Sequence, residues 1–153
     1  MKEKSIHLTR TINILCAVLM LALLILQFVP FWNLDGESVS IGGYVWFCSD
    51  HSNFTSYFQE VLNNTEFNAG NIALFNTATM AACVAGLIIC LKNSGDNWPT
   101  IIPAAYGVLG TIGYIAYPVF KLGTQWGLHL ALCIGMLILA AVSIVLRIKT
   151  SNR

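Results

Sequence analysis

The chain has 153 residues, 56% of them hydrophobic, with eight basic and seven acidic side chains, a net charge of +1 and a mean hydropathy of +0.69. A nucleic-acid-binding domain would need a basic surface, and a water-soluble enzyme would need a polar exterior that this composition cannot supply. The few charges are spaced so that residues 11–34, 67–91, 97–120 and 122–146 contain no Asp, Glu, Lys or Arg. About 20 apolar residues of helix cross a hydrocarbon core about 30 Å thick, so each window is long enough for one span.

The first window follows Lys2, Lys4 and Arg10, as a signal peptide would. Its apolar stretch, from about Ile12 to Trp32, exceeds the roughly 7 to 15 residues of a signal h-region and has no small-residue cleavage site, so it reads as an uncleaved anchor. Asn13-Ile14-Leu15-Cys16 also lacks the small residue before Cys that lipoprotein processing requires.

Next comes the one sizeable polar segment. From Ser38 to Phe47, Val39, Ile41, Val45 and Phe47 alternate with Ser38, Ser40, Gly42, Tyr44 and Trp46, the period of a half-buried strand. The turn dipeptide Asp35-Gly36 just before it predicts a short hairpin. Phe54, Tyr57, Phe58, Val61 and Leu62 then recur at helical spacing, with Asp50 or Ser52 as N-cap, which predicts an amphipathic helix. Asn53-Phe54-Thr55 and Asn63-Asn64-Thr65 match the glycosylation acceptor pattern.

Aromatic rings mark the span ends: Phe28, Phe31 and Trp32 close the first, Tyr117 and Phe120 the third, Trp98 opens the third and Trp126 the fourth. Pro99 fits a first helical turn, and Pro103 could bend the helix slightly. The turns at 93–97 and 121–124 are short, so the later spans are expected to be antiparallel neighbours. The expected fold is an all-α membrane protein, one domain over 1–153. It has a four-transmembrane-helix antiparallel bundle (spans about 11–32, 70–91, 98–119 and 125–147) and a hairpin-plus-helix cap over 33–69. Seven of the eight basic residues lie at the termini or at Lys92, and five of the seven acids lie in 33–69, so the positive-inside rule puts both termini in the cytoplasm and the cap outside the cell membrane. Lys121 is the exception.

Within the windows, His129 is the only ionisable group besides cysteines and tyrosines, which argues against an ion-coupled pump. No Cys-x-x-Cys pair exists, so thiol-exchange chemistry lacks its dithiol. Cys48, alone outside the spans, is expected to be a free thiol rather than a bridge between chains. Asn76, Thr79, Cys83, Gly86 and Cys90 form a small, mildly polar seam on the second span, and Pro103, Gly107, Gly110, Tyr114 and Tyr117, with Gly113 alongside, form another on the third. Gly127, Ala131 and Gly135 recur at fourfold spacing on the fourth. Such seams are expected to pack helices closely; the alternative is a polar cavity centred on Asn76, Thr79, Tyr106 and Tyr114. His129, Cys133 and Met136 share one helical face and are donor types that soft copper or a haem iron accepts, although they match no established metal spacing. The expectation is no metal and no cofactor.

Trp32, just after the first span, and Trp46-Phe47-Cys48 in the outer segment resemble the claudin and peripheral-myelin-protein group over about 20 residues. That resemblance would imply a four-span adhesion protein. The group has two residues between the Trp and the first of two Cys; here one residue intervenes and the second Cys is absent, so no functional residue is carried over. The expected function is non-catalytic: association with another membrane protein or with itself, as accessory subunit, scaffold or receptor-like partner, through Trp46, Phe54, Tyr57 and Phe58. The alternatives are a small oligomeric channel or carrier for an uncharged or weakly polar solute, or a membrane redox or metal protein.

Overall fold

The computed structural model describes residues 2–34, 36–47 and 51–151. In order, the elements are α1 (Lys2–Leu26), β1 (Trp32–Leu34), β2 (Glu37–Val39), α2 (His51–Val61), α3 (Gly70–Lys92), α4 (Ile101–Ala116), α5 (Pro118–Lys121) and α6 (Trp126–Ser151). A wide π-type turn occupies Gly43–Phe47, and a 3-10 turn at Trp98–Thr100 leads into α4. Four helical segments, Glu3–Leu26, Gly70–Lys92, Trp98–Ala116 and Trp126–Lys149, are long and apolar enough to cross a membrane.

Three boundaries depart from expectation. The first helix begins before the charge-free window and ends at Leu26, not Trp32. Pro30 has no N–H and disfavours helical backbone at Val29, so the apolar run outlasts the helix, and Trp32 opens a strand instead. The third helix stops at Ala116 because Pro118 holds Tyr117 extended, at φ −90° and ψ 110°. The expected strand over 38–47 ends at Val39. Gly42 and Gly43 weaken a strand, and Ser40 Oγ accepts the Gly43 N–H at 2.9 Å while its carbonyl accepts the Tyr44 N–H at 2.9 Å, which closes a turn. The expected hairpin is present, with Trp32 opposite Val39, Asn33 opposite Ser38 and Leu34 opposite Glu37. Gly36 has φ +88°, the left-handed backbone such a turn requires. Asp35 and the alternative cap Asp50 lie outside the described residues, as does Cys48.

The four long helices close a ring of contacts: α1 packs on α3 and α6, and α4 packs on α6 and α3. Each contributes an inward row. On α3 the whole expected seam, Asn76, Thr79, Cys83, Gly86 and Cys90, is buried. On α4, Pro103, Tyr106, Gly107, Gly110, Gly113 and Tyr114 are buried, while Tyr117 is exposed. The helix runs through Pro103 without interruption. Small residues here let neighbours approach: a Cβ on Gly113 would enter the Phe75 ring, and one on Gly86 would meet the Met20 thioether.

On α6 the inward row is His129, Cys133, Met136, Ala140 and Ser143. The expected packing stripe of Gly127, Ala131 and Gly135 is misplaced: Gly127 and Ala131 are exposed and Gly135 is half-buried. Gly127 and Ala131 each sit two positions from the buried row, about 200° around the helix.

At one end of the helices the connections are short and are pinned by side chains. Asn13 Nδ2 donates to the carbonyls of Ser94 and Asp96, both at 2.8 Å, and Thr9 Oγ1 donates to Asn97 Oδ1 at 3.2 Å. At the other end sits the cap formed by 31–69.

Candidate functional site

The cap is built on aromatic packing. Phe31 uses both backbone groups: its N–H donates to the Val39 carbonyl at 2.9 Å, and its carbonyl accepts the Thr124 N–H at 2.7 Å. Trp32 Nε1 donates to the Val119 carbonyl at 2.9 Å. Around these two rings, Trp32 meets Phe58 at 5.1 Å and Tyr44 at 5.9 Å, and Phe31 meets the His129 imidazole at 4.9 Å, all edge-to-face. The amphipathic helix α2 lays Phe58 into this cluster with no exposure, and leaves Phe54 and Tyr57 half-buried. Of the four residues expected to form a partner surface, Phe58 is therefore core. Trp46 is 55% exposed, beside a Phe47 that is 78% exposed.

Trp46 is not free to swing. Its Nε1–H donates to Asn76 Oδ1 at 2.9 Å. Asn76 Nδ2 donates to Gln27 Oε1 at 2.8 Å, and Gln27 Nε2 donates to the Tyr114 hydroxyl at 3.4 Å and to the Leu23 carbonyl at 3.3 Å. Tyr114 lies 3.0 Å from His129 Nδ1. Gln27 Nε2–H fills one lone pair of the Tyr114 oxygen, and the same hydroxyl shares a hydrogen bond with Nδ1. The chain Trp46, Asn76, Gln27, Tyr114, His129 thus donates in one direction as far as the Tyr114 oxygen. It crosses the cap, the end of α1, α3, α4 and α6, and it ends on a buried Nε2 with no partner among the described residues.

The approach of cap to helices depends on Gly42. Its N–H donates to the Gln27 carbonyl at 2.7 Å, and a Cβ there would lie 2.7 Å from the Phe28 ring. Glycine at 42 lets the turn sit directly on Gln27, which is fully buried. Gln27 was not singled out from the sequence, although it is the one amide in the second half of the apolar stretch from Ile12 to Trp32 and the signal was there to read.

The residues expected to line a polar cavity are instead bonded across the core. Thr79 spends its proton on the Phe75 carbonyl at 2.8 Å, so at 2.8 Å Tyr106 is the donor to Thr79 Oγ1. Asn76 and Tyr114 meet on Gln27. A groove of about 360 Å³ lies between α3 and α4 beside Ala82, Ala105 and Tyr106, on the outer side of that pair.

His129, Cys133 and Met136 all face inward with no exposure. Cys133 and Met136 share a core with Cys83 and Met20. Nδ1 of His129 is committed to Tyr114, and among the described residues no three His, Cys, Asp or Glu side chains come together as a metal site would need. The four described cysteines are unbridged and buried. Asn63 is exposed, in left-handed backbone at φ 51° just after α2.

No protein family, curated protein or solved structure matches this chain.

Proposed function

We propose that the protein is a four-span integral membrane protein, termini inside and cap outside, that works by association with another membrane protein or a second copy, and not by catalysis. The outward faces of all four long helices support the membrane part: Ile25, Leu74, Ile112 and Ile138 are among many large apolar side chains left exposed, far more than a soluble surface tolerates. The charge distribution supports the orientation. Glu37, Glu60 and Glu66 lie at the capped end, and Lys4, Arg10, Lys92, Arg147 and Lys149 lie at the other.

One observation carries the association: Trp46 and Phe47 project from a turn that is fixed in place through Asn76. Aromatic side chains dominate interface energetics, and a surface already held in its bound geometry loses little entropy on docking. The polar core beneath it is largely bonded to itself, which leaves little that could react.

Cross-linking in the native membrane should give a discrete higher-mass species that disappears in Trp46→Ala/Phe47→Ala while the variant keeps its thermal transition. Recovery of the wild type only as a lone monomer would overturn the proposal. Orientation is tested separately with Glu66→Cys and Lys149→Cys in a Cys48→Ser background. A membrane-impermeant thiol reagent should label position 66 in intact cells, and position 149 only after permeabilisation.

A further inference from the structure

We infer that the hollow between α4 and α6, at the end away from the cap, holds the phosphate headgroup of an anionic phospholipid. The hollow measures about 240 Å³. At about 30 Å³ per water this is room for roughly eight waters, more than a bare ion would fill.

Its chemistry is divided along its length. Ala104 and Ala140 line it one turn deeper along α4 and α6 than Thr100 and Ser143, and larger side chains there would take up its space. Toward the end of the helices it is lined by Arg147, Thr100, Ser143 and Trp98. Ala140, Ser143 and Arg147 are at i, i+3 and i+7, one face of α6, so a headgroup at Arg147 continues onto an apolar track along the same helix. Guanidinium is the side chain best matched to phosphate, through two parallel N–H donors.

Ser143 is 4% exposed and lies 3.4 Å from Thr100 Oγ1. Thr100 gives its proton to the Asn97 carbonyl at 3.1 Å, so Ser143 donates to Thr100 Oγ1 and ties the α6 wall of the hollow to the α4 wall, leaving its own lone pairs and not its proton toward the hollow. Trp98, 48% exposed at the rim, has the amphipathic ring that settles at the headgroup level.

The field at this end favours an anion. Lys4, Arg10, Lys92, Arg147 and Lys149 gather there against Glu3 and Asp96. A protein partner with an acidic tail would also be attracted, but a hollow of about 240 Å³ offers no room for a folded chain.

The inference rests on the membrane reading above, and the experiment separates the two. The full-length protein, released from mild detergent, is examined by native mass spectrometry with phosphatidylglycerol or phosphatidylcholine as the probe. One phosphatidylglycerol should bind per chain, about tenfold more tightly than phosphatidylcholine. Arg147→Gln should abolish that preference, Ala140→Leu should weaken both lipids, and Lys121→Gln, at the capped end, should change neither. No preference in the wild type, retention of the preference in Arg147→Gln, or displacement of the lipid by millimolar inorganic phosphate would each overturn the site. Because Ala140→Leu and Arg147→Gln change different parts of the hollow, misfolding of one leaves the other as the test. Labelling of Glu66→Cys and Lys149→Cys in cells reports on the membrane reading alone. A chain with the expected labelling and no lipid preference loses only the headgroup site.

Discussion

The two ends of the helices solve the same problem in opposite ways. Where the connection is short, at 93–97, a side chain of α1 ties down main chain: Asn13 holds the carbonyls of Ser94 and Asp96. Where the connection is long, at 27–69, side chains tie down one another, from Trp46 through Asn76 and Gln27 to Tyr114 and His129. The first arrangement is local and its acceptors lie near water. The second is a buried series in which every interior member serves two neighbours, so the loss of one group leaves others unsatisfied where water cannot reach them.

That contrast sets the order of the expected effects. Gln27→Leu should be the most damaging, because it strands Asn76 Nδ2 and the Tyr114 oxygen together; a loss of about 3 kcal/mol is expected, read from thermal unfolding in detergent. Gly113→Ala should come next at about 2 kcal/mol, since the new methyl enters the Phe75 ring and the cluster beside it must shift. Asn13→Ala should cost only about 1 kcal/mol, because the freed carbonyls of the turn can be hydrated. If Asn13→Ala proved as costly as Gln27→Leu, the distinction between the two ends would collapse. Gly127→Ala should be the mildest change, stabilising by about 0.5 kcal/mol through helix propensity. Nothing lies within 4 Å of its Cβ position, so a loss there would mean that this outward face is occupied.

How much of this could be read in the residues depended on whether a signal was periodic or long-range. The inward row of α3 was legible from Asn76 to Cys90, because spacings of three and four residues are a property of the helix itself, while Ile72 and Phe75 ahead of it were not singled out. The hairpin was legible from Asp35-Gly36 and the helix α2 from Phe54 to Leu62. The alternating run from Ser38 to Phe47 misled: periodicity describes side chains, while Gly42 docking on the Gln27 carbonyl and Ser40 closing on Gly43 are backbone events. The fourth-span stripe misled for a related reason, since small residues at fourfold spacing mark a smooth face without saying which way it points. At the site, Asn76, Thr79, Tyr106 and Tyr114 were grouped as the lining of a polar cavity; all four are buried, but the pairing that joins them was hidden. Gln27 joins Asn76 across 49 positions of chain, and no local pattern encodes a partner that distant.

The bonds of the hairpin also set an order of assembly. Trp32 reaches Val119, 87 positions later, and Phe31 reaches Thr124, 93 positions later. During synthesis from the amino end the cap emerges second, yet its acceptor and donor are made only after the third long helix is complete. It cannot close until then. The part of the protein that presents Trp46 thus locks late, and a chain that displays a finished cap has already made its third long helix and the turn that follows it.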